Sequence, residues 1–152
     1  MDTQGLEAAE LYCSIFPNSR VTAVTHYPAG GPREEGTVMT VSFELDGQPF
    51  TIINGGPEFT FDEAVSFEIE CEDQAEVDRY WDALTADGGQ PGPCGWLKDK
   101  FGLSWQVVPT GMVEVLTGPD KEAASRAMQA MMGMSKLDVA ALEAAARGDR
   151  PA

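Results

Sequence analysis

The sequence predicts an α+β fold made of two related modules, each with one helix followed by three strands. Two amphipathic helices carry the same i, i+3, i+4, i+7 stripe of apolar residues. Three strand-like segments follow each helix, and the last two segments of each half are joined by a glycine-containing turn. Only the second helix is preceded by a strand, so the first module is predicted to lack its first strand.

The first helix is predicted over residues 5–16. One face of this helix carries four apolar residues: Ala8, Leu11, Tyr12 and Ile15. Pro17 ends the helix because proline cannot continue it, and Asn18 and Ser19 favour a turn. Strands are predicted over residues 21–27, 38–45 and 50–54, with a hairpin turn at Asp46 and Gly47.

The second module begins with a strand predicted over residues 64–71. Its alternation places Val65, Phe67 and Ile69 toward the helix, and the polar residues between them on the opposite face. The second helix follows, with apolar residues at Val77, Tyr80, Trp81 and Leu84. A short segment near residues 90–93 and strands over 94–98 and 103–108 complete the module.

Two helices are predicted beyond the modules. The first carries Ala124, Met128, Met131 and Met132 on one face, which indicates an adaptable packing surface for its own domain, a dimer contact or a ligand wall. The second is introduced by a capping pattern of Ser135 and Asp138. We therefore expect one domain over residues 1–112, with modules at about 1–60 and 61–112, and a helical extension of that domain over 113–152.

The composition excludes several partners. The chain has 25 acidic and 10 basic residues and a net charge of −15, whereas nucleic acids and anionic membranes attract clustered Lys and Arg. No apolar run approaches the ~18 residues of a membrane span, and no signal peptide opens the sequence. Cys13, Cys71 and Cys94 form no disulfide or zinc pattern. These features predict an acidic cytoplasmic protein with no nucleic-acid or membrane partner.

Several short segments, in order along nearly the whole chain, resemble the PhnB-like branch of the vicinal-oxygen-chelate superfamily. They are Phe16-Pro17-Asn18-Ser19, Asn54-Gly55-Gly56-Pro57, Val77-Asp78-Arg79-Tyr80-Trp81, Gly92-Pro93-Cys94-Gly95-Trp96 and Phe101-Gly102-Leu103-Ser104-Trp105. The superfamily includes glyoxalase I, bleomycin-resistance proteins and extradiol dioxygenases, and members of the PhnB-like branch are often labelled demethylubiquinone 3-methyltransferase. The resemblance implies a glyoxalase-like fold of paired β-α-β-β-β modules.

The resemblance also implies where a metal would bind, because metal-binding members supply His and Glu ligands from each half. Ser66, Gln106 and Thr51 occupy the matching positions, and these side chains are poor ligands for a divalent cation. We therefore expect no metal and no cofactor. His26, the single histidine, lies outside the matched positions; a site that uses it across a dimer remains an alternative.

The predicted function is a PhnB-like protein that binds a small molecule in a cleft and forms a homodimer. The candidate ligand-binding residues are Thr51, Asn54, Ser66, Glu68, Trp96 and Gln106. No residue is assigned a catalytic role. A metal-dependent glyoxalase- or dioxygenase-like enzyme is one alternative, and a methyltransferase is another, although no glycine-rich turn connects a strand to a helix as a nucleotide-like cofactor site would need.

The absent first strand leads to an expectation about the first sheet. Nothing before Asp2 offers a strand, so this sheet should present unpaired N–H and C=O groups. The sequence-based explanation is that the start lies downstream of the true beginning, with about 8–10 residues of strand removed. Restoring an alternating apolar segment should then raise the midpoint of thermal unfolding.

Overall fold

Residues 1–149 are described by a computed structural model, in which the chain divides after Thr60 into two units. Helices and strands are mixed along the chain, which confirms the α+β fold class. The last three residues of the predicted extension, 150–152, lie outside the described residues. In the described part, the longest helix has 12 residues, and none is long and apolar enough to cross a membrane.

The first unit contains one helix and one antiparallel sheet. Its elements are α1 (Gly5–Ile15), β1 (Arg20–His26), β2 (Val38–Leu45) and β3 (Gln48–Ile53), with the strands in the order β1-β2-β3. The predicted apolar stripe of α1 packs against β2, where Val41 and Phe43 are buried. Asp46 and Gly47 both have positive φ, as a two-residue hairpin between β2 and β3 requires.

The outer edge of β3 has no partner strand among the described residues. The amino group of Met1 donates to the carbonyl of Ile53 at 3.2 Å, and the N–H of Gly55 donates to the carbonyl of Met1 at 3.0 Å. This pair of bonds on either side of Asn54 is one rung of a parallel ladder. The expectation that the first sheet lacks a strand is confirmed.

The second unit contains a four-stranded sheet, and one helix connects the first of its strands to the second along the chain. Its elements are β4 (Phe67–Cys71), α2 (Gln74–Thr85), β5 (Gln90–Pro91), β6 (Trp96–Lys98) and β7 (Ser104–Pro109). The strand order is β4-β7-β6-β5, with β4 parallel to β7 and the other pairs antiparallel. Asp73 caps the start of α2, since its side chain accepts the N–H of Glu76. The buried face of α2 includes Val77 and Leu84.

Strand β4 begins three residues later than the sequence predicts. The carboxylate of Asp62 accepts the N–H of Ala64 at 3.0 Å, and this local turn competes with strand pairing. The side chain of Val65 is therefore 66% exposed, so its predicted position against the helix was wrong. Phe67 is also partly exposed, whereas Ile69 is buried as predicted.

Three helices follow β7: α3 (Met112–Thr117), α4 (Lys121–Met131) and α5 (Val139–Arg147). The sequence did not predict α3. In α4 the buried residue is Ala127, which the predicted stripe did not include, while Met128 and Met132 of that stripe are exposed and do not pack on their own domain. Ser135 does not cap α5: the side chain of Asp138 caps it by accepting the N–H of Ala141.

The segment between α4 and α5 is bound to the start of β6 by backbone hydrogen bonds. Cys94 and Gly95 donate their N–H groups to the carbonyls of Met134 and Ser135, at 2.8 and 2.7 Å. Gly95 has φ of +83°, and a Cβ atom there would lie 2.8 Å from the carbonyl oxygen of Val107. Only glycine meets both requirements without strain, so this close approach depends on it.

Candidate functional site

One face of the second sheet collects four of the predicted site residues. The register pairs Glu68 with Gln106 across β4 and β7, and Gln106 with Trp96 across β7 and β6. Paired residues lie on the same face of a sheet, so these three side chains form a row. Ser66 joins them, since its hydroxyl accepts a hydrogen bond from the Gln106 amide at 2.9 Å.

The Ser66–Gln106 pair does not fit a metal centre. The amide nitrogen of Gln106 points at the Ser66 oxygen and donates to it, so this oxygen is already used as an acceptor. Neutral hydroxyl and amide groups are weak ligands for the divalent metals that the superfamily uses. Among residues 1–149, no three His, Cys, Asp or Glu side chains come together in a way that could hold a metal ion.

A cavity of about 450 Å³ lies at the β5–β6 end of the second unit. Its apolar lining residues are Pro91, Pro93, Trp96 and Leu97. Its polar lining residues are Glu63, Gln90, Lys98 and Ser104. Trp96 is the residue that this cavity shares with the predicted site. None of the four polar residues is among the candidate ligand-binding residues predicted from the sequence, although strand alternation places Ser104 on the same face as Gln106.

Ser104 is the most unusual residue of this cavity. The residue is 1% exposed, and its hydroxyl is a buried side-chain group that has no hydrogen-bond partner in the described part of the chain. Leaving such a group unsatisfied costs roughly 1–3 kcal/mol of folding free energy. The register places Ser104 beside Lys98 on β6, so a buried hydroxyl and a cation lie side by side.

The hairpin between β6 and β7 is fixed by Asp99, which is 3% exposed. One carboxylate oxygen accepts the N–H groups of Phe101 and Leu103, at 2.9 and 3.0 Å. The other oxygen accepts the indole N–H of Trp105 at 2.9 Å. Because Lys98 and Ser104 flank this hairpin, Asp99 holds the backbone of both cavity residues in place.

Lys98 forms an ion pair with Glu63, which lies in the turn before β4. The hydrogen bond from Lys98 holds the pKa of the Glu63 carboxyl below its usual range. The Glu63 side chain is 63% exposed and the Lys98 side chain 35% exposed. The two groups were missed because they are distant in the sequence and each resembles an ordinary surface charge.

Thr51 and Asn54, the other two predicted site residues, lie in the first unit. Thr51 is exposed on β3. Asn54 is 2% exposed, and its side-chain amide is already used within the unit. Its oxygen accepts the N–H of Gly5 at 2.9 Å, and its nitrogen donates to the carbonyls of Thr3 and Val38, both at 3.2 Å. Asn54 thus ties the first residues of the chain to β2, and its contact with a ligand stays a prediction.

His26 lies at the end of β1 and is exposed. No described histidine, cysteine or carboxylate cluster includes it. The alternative in which His26 acts across a dimer depends on a second chain and stays untested.

The chain resembles known proteins over most of its length. Residues 1–108 match the family model described as 3-demethylubiquinone-9 3-methyltransferase. A solved structure from Bacillus cereus, described as a PhnB protein and 3-demethylubiquinone-9 3-methyltransferase, is 33% identical and covers 72% of this chain and 94% of its own, with a TM-score of 0.64. A Pseudomonas aeruginosa structure shares the fold at 17% identity, with coverages of 71% and 90% and a TM-score of 0.59. No curated protein matches the chain.

Proposed function

The chain belongs to the PhnB-like family described as 3-demethylubiquinone-9 3-methyltransferase, and we propose that it binds a small organic molecule in the cavity beside Trp96. The observation that carries the proposal concerns Ser104, which lines this cavity and whose buried hydroxyl has no hydrogen-bond partner among residues 1–149. A ligand with a polar group at this position would satisfy the hydroxyl and recover its desolvation cost.

The lining of the cavity also supports a small-molecule ligand. A volume of about 450 Å³ lies within the range of roughly 300–1,000 Å³ that is usual for ligand pockets. Apolar walls with a few polar groups are typical of such pockets. Trp96 is half-buried, so its indole offers a flat apolar surface on which a ring can stack.

The proposed binding does not use a metal. Its support is the donor set on the polar face, where Ser66 and Gln106 hydrogen-bond to each other. Elemental analysis of protein purified without chelators or a His tag tests this part. We expect well under one equivalent of Zn, Ni, Fe or Mn per chain, and one equivalent that is lost on Gln106→Ala would favour the metal-dependent alternative.

The main test replaces the unpartnered hydroxyl. Ser104→Ala removes a group that destabilises the free protein and that the ligand would use. We expect the variant to melt a few degrees higher than the parent protein and to bind 2-naphthol, a flat neutral probe, at least several-fold more weakly by calorimetry. Ser125→Ala, on the exposed face of α4, is the matched control and should change neither value. Unchanged probe binding in Ser104→Ala would overturn the proposal.

The family description supplies a rival, in which the protein transfers a methyl group. That reaction requires binding of S-adenosylmethionine or an equivalent donor. Calorimetry with S-adenosylmethionine separates the two: the binding proposal expects no measurable heat, and micromolar affinity would favour the methyltransferase.

We further propose a homodimer in the cytoplasm. Exposed Met128 and Met132 on and beside α4 support an apolar contact, since monomers rarely expose such patches without a use. Free thiols at Cys13, Cys71 and Cys94 support a reducing compartment. Light scattering at tens of micromolar should give twice the chain mass; a monomer mass would contradict the dimer.

A further inference from the structure

The charged side chains that line the cavity are Lys98 and Glu63, and they neutralise each other in the absence of a ligand. Lys98 lies on β6 beside Ser104 of β7, and Trp96 lies two residues before it on the same strand. Because alternate residues of a strand share a face, the indole, the ammonium and the hydroxyl all belong to one face of the sheet. A ligand on this face meets a ring surface, a positive charge and a hydrogen-bonding group together.

Lys98 and Glu63 differ in how firmly the fold holds them. Lys98 is on a strand and next to the hairpin that Asp99 fixes with three hydrogen bonds. Glu63 is in a turn that precedes β4, and 63% of its side chain is exposed. The carboxylate can therefore leave the pair and enter water at low cost, whereas the ammonium remains at the cavity.

From this difference, and given the small-molecule site proposed above, we propose that the cavity binds flat aromatic molecules that carry one negative charge, and that Glu63 occupies the place of that charge until the ligand displaces it. The exchange replaces one anion beside Lys98 with another, so the ammonium is never left without a counter-charge. A buried or half-buried charge that loses its partner is costly, which is why this exchange favours anions.

Ligands of other charge fit the same geometry less well. A cationic ligand would have to displace the ammonium of Lys98, which is the less exposed partner of the ion pair. A neutral ligand leaves the ion pair intact and gains only the indole and hydroxyl contacts. The identity of residue 63 should therefore change the affinity for anions and leave the affinity for neutral rings unchanged.

The test measures two probes of the same ring, 2-naphthalenesulfonate and 2-naphthol, by calorimetry on the full chain. Glu63→Gln removes the competing carboxylate and should tighten sulfonate binding about tenfold while naphthol binding stays within twofold. Lys98→Gln should weaken sulfonate binding by at least tenfold. The control variant Glu70→Gln, on an exposed residue of β4 outside the cavity, should leave both affinities unchanged. Thermal melts of all variants confirm that they fold.

The possible outcomes separate this inference from the proposed function. If naphthol binds and Ser104→Ala weakens it, but Glu63→Gln does not tighten the sulfonate, the anionic ligand class is overturned and the binding site stands. If 2-naphthylmethylammonium binds more tightly than the sulfonate, Glu63 is the recognition group and the inference is wrong. If no probe binds to the parent protein, both proposals fail.

Discussion

The two units complete the same edge of their sheets in different ways. In the second unit, β4 lies parallel to β7 over five residue pairs, from Phe67–Trp105 to Cys71–Pro109, and the N–H of Thr110 donates to the carbonyl of Cys71 at 2.7 Å. In the first unit, Met1 alone makes the corresponding contacts with β3, around Asn54. Met1 therefore takes the position that Cys71, the last residue of β4, takes in the second unit.

The register shows which backbone groups of β3 point away from β2 and toward the edge that has no partner strand. Asn54 donates its N–H to the carbonyl of Met39 on β2. Since alternate residues of a strand point the same way, Ile52 also faces β2, and the N–H groups of Thr51 and Ile53 face the open edge. The side chain of Ile53 is 58% exposed there. In the first unit, one helix and three strands therefore form the layer, and side-chain hydrogen bonds hold the residues at the start of α1 against the sheet.

Asn54 makes the side-chain hydrogen bonds that hold the start of α1. We therefore expect the largest loss of stability from Asn54→Ala. The change leaves Gly5 N–H and two carbonyls without their side-chain partner in a buried place. We expect a loss of at least about 3 kcal/mol in the free energy of unfolding, measured by urea titration. Thr51→Ala on the exposed face is the control, and a similar loss in both variants would argue against the role of Asn54.

The second prediction concerns a variant in which a strand is added beside β3. Fusing about eight residues of alternating apolar and polar character to the amino end should extend the Met1 rung along β3 and cover Ile53. Burial of apolar area is worth a few kcal/mol, and ~1 kcal/mol shifts the midpoint of a domain of this size by roughly 3–5 °C. We expect a rise of several degrees in a thermal melt, and none with a Gly/Ser extension of equal length. An equal midpoint for both extensions would refute strand addition at this edge.

The third prediction uses Cys71 as a probe of the paired edge. Burial raises the pKa of this thiol to about 11, so the reactive thiolate is scarce at pH 8. A thiol reagent should label Cys71 at least tenfold more slowly than Cys94, which is only half-buried. Mass spectrometry of partly labelled protein measures both rates, and urea below the unfolding transition should raise the Cys71 rate if β4 opens locally. Equal rates in buffer would show that β4 does not protect its last residue.

The smallest effect concerns the ion pair of Asp78 and Lys136, which joins α2 to the segment before α5. The hydrogen bond from Lys136 lowers the pKa of Asp78 from 3.8. A lowered carboxyl pKa contributes stability above the unfolded value, and this is lost as pH falls through the folded value. We therefore expect Asp78→Asn to be less stable than the parent protein at pH 7, and this difference in the free energy of unfolding should shrink below pH 4. The difference should be modest because both side chains are more than one-third exposed. Urea titrations from pH 7 to pH 3 measure this difference, and a constant difference would show that the ionisation of Asp78 does not contribute to stability.

The sequence predicted helices and strands well where apolar residues recur at a regular helical or strand spacing. Of the residues that the stripe of α1 and the alternation of β2 mark, Ala8, Tyr12, Val41, Phe43 and Leu45 are buried, whereas Leu11, Ile15 and Met39 are half-buried. It failed where a local polar contact competed, as at the Asp62 turn that keeps Val65 out of β4. It also did not identify Ala127 as the buried residue of α4, where contact with the neighbouring helices favours a small side chain.

The candidate site was only partly predictable for a related reason. Alternation sufficed to place Ser66, Glu68 and Gln106 on the face opposite the buried residues, because successive side chains of a strand point to opposite faces. The unsatisfied state of Ser104 depends on every neighbouring atom, and the Lys98–Glu63 pair depends on how a turn folds back. Neither property leaves a periodic signal in the sequence.

The close backbone contact between Gly95 and the segment before α5 limits where a chimera of two related proteins can be joined. A cut after β7 looks natural from the sequence, since the repeated module ends there. Yet the backbone at Cys94 and Gly95, inside that module, uses carbonyls from Met134 and Ser135 as acceptors, and Leu137 lies 3.0 Å from where a Gly95 side chain would begin. A chimera that keeps this glycine should therefore inherit the following helices through α5 as well, and a crossover placed between α3 and α4 would separate two halves of one hydrogen-bonded joint.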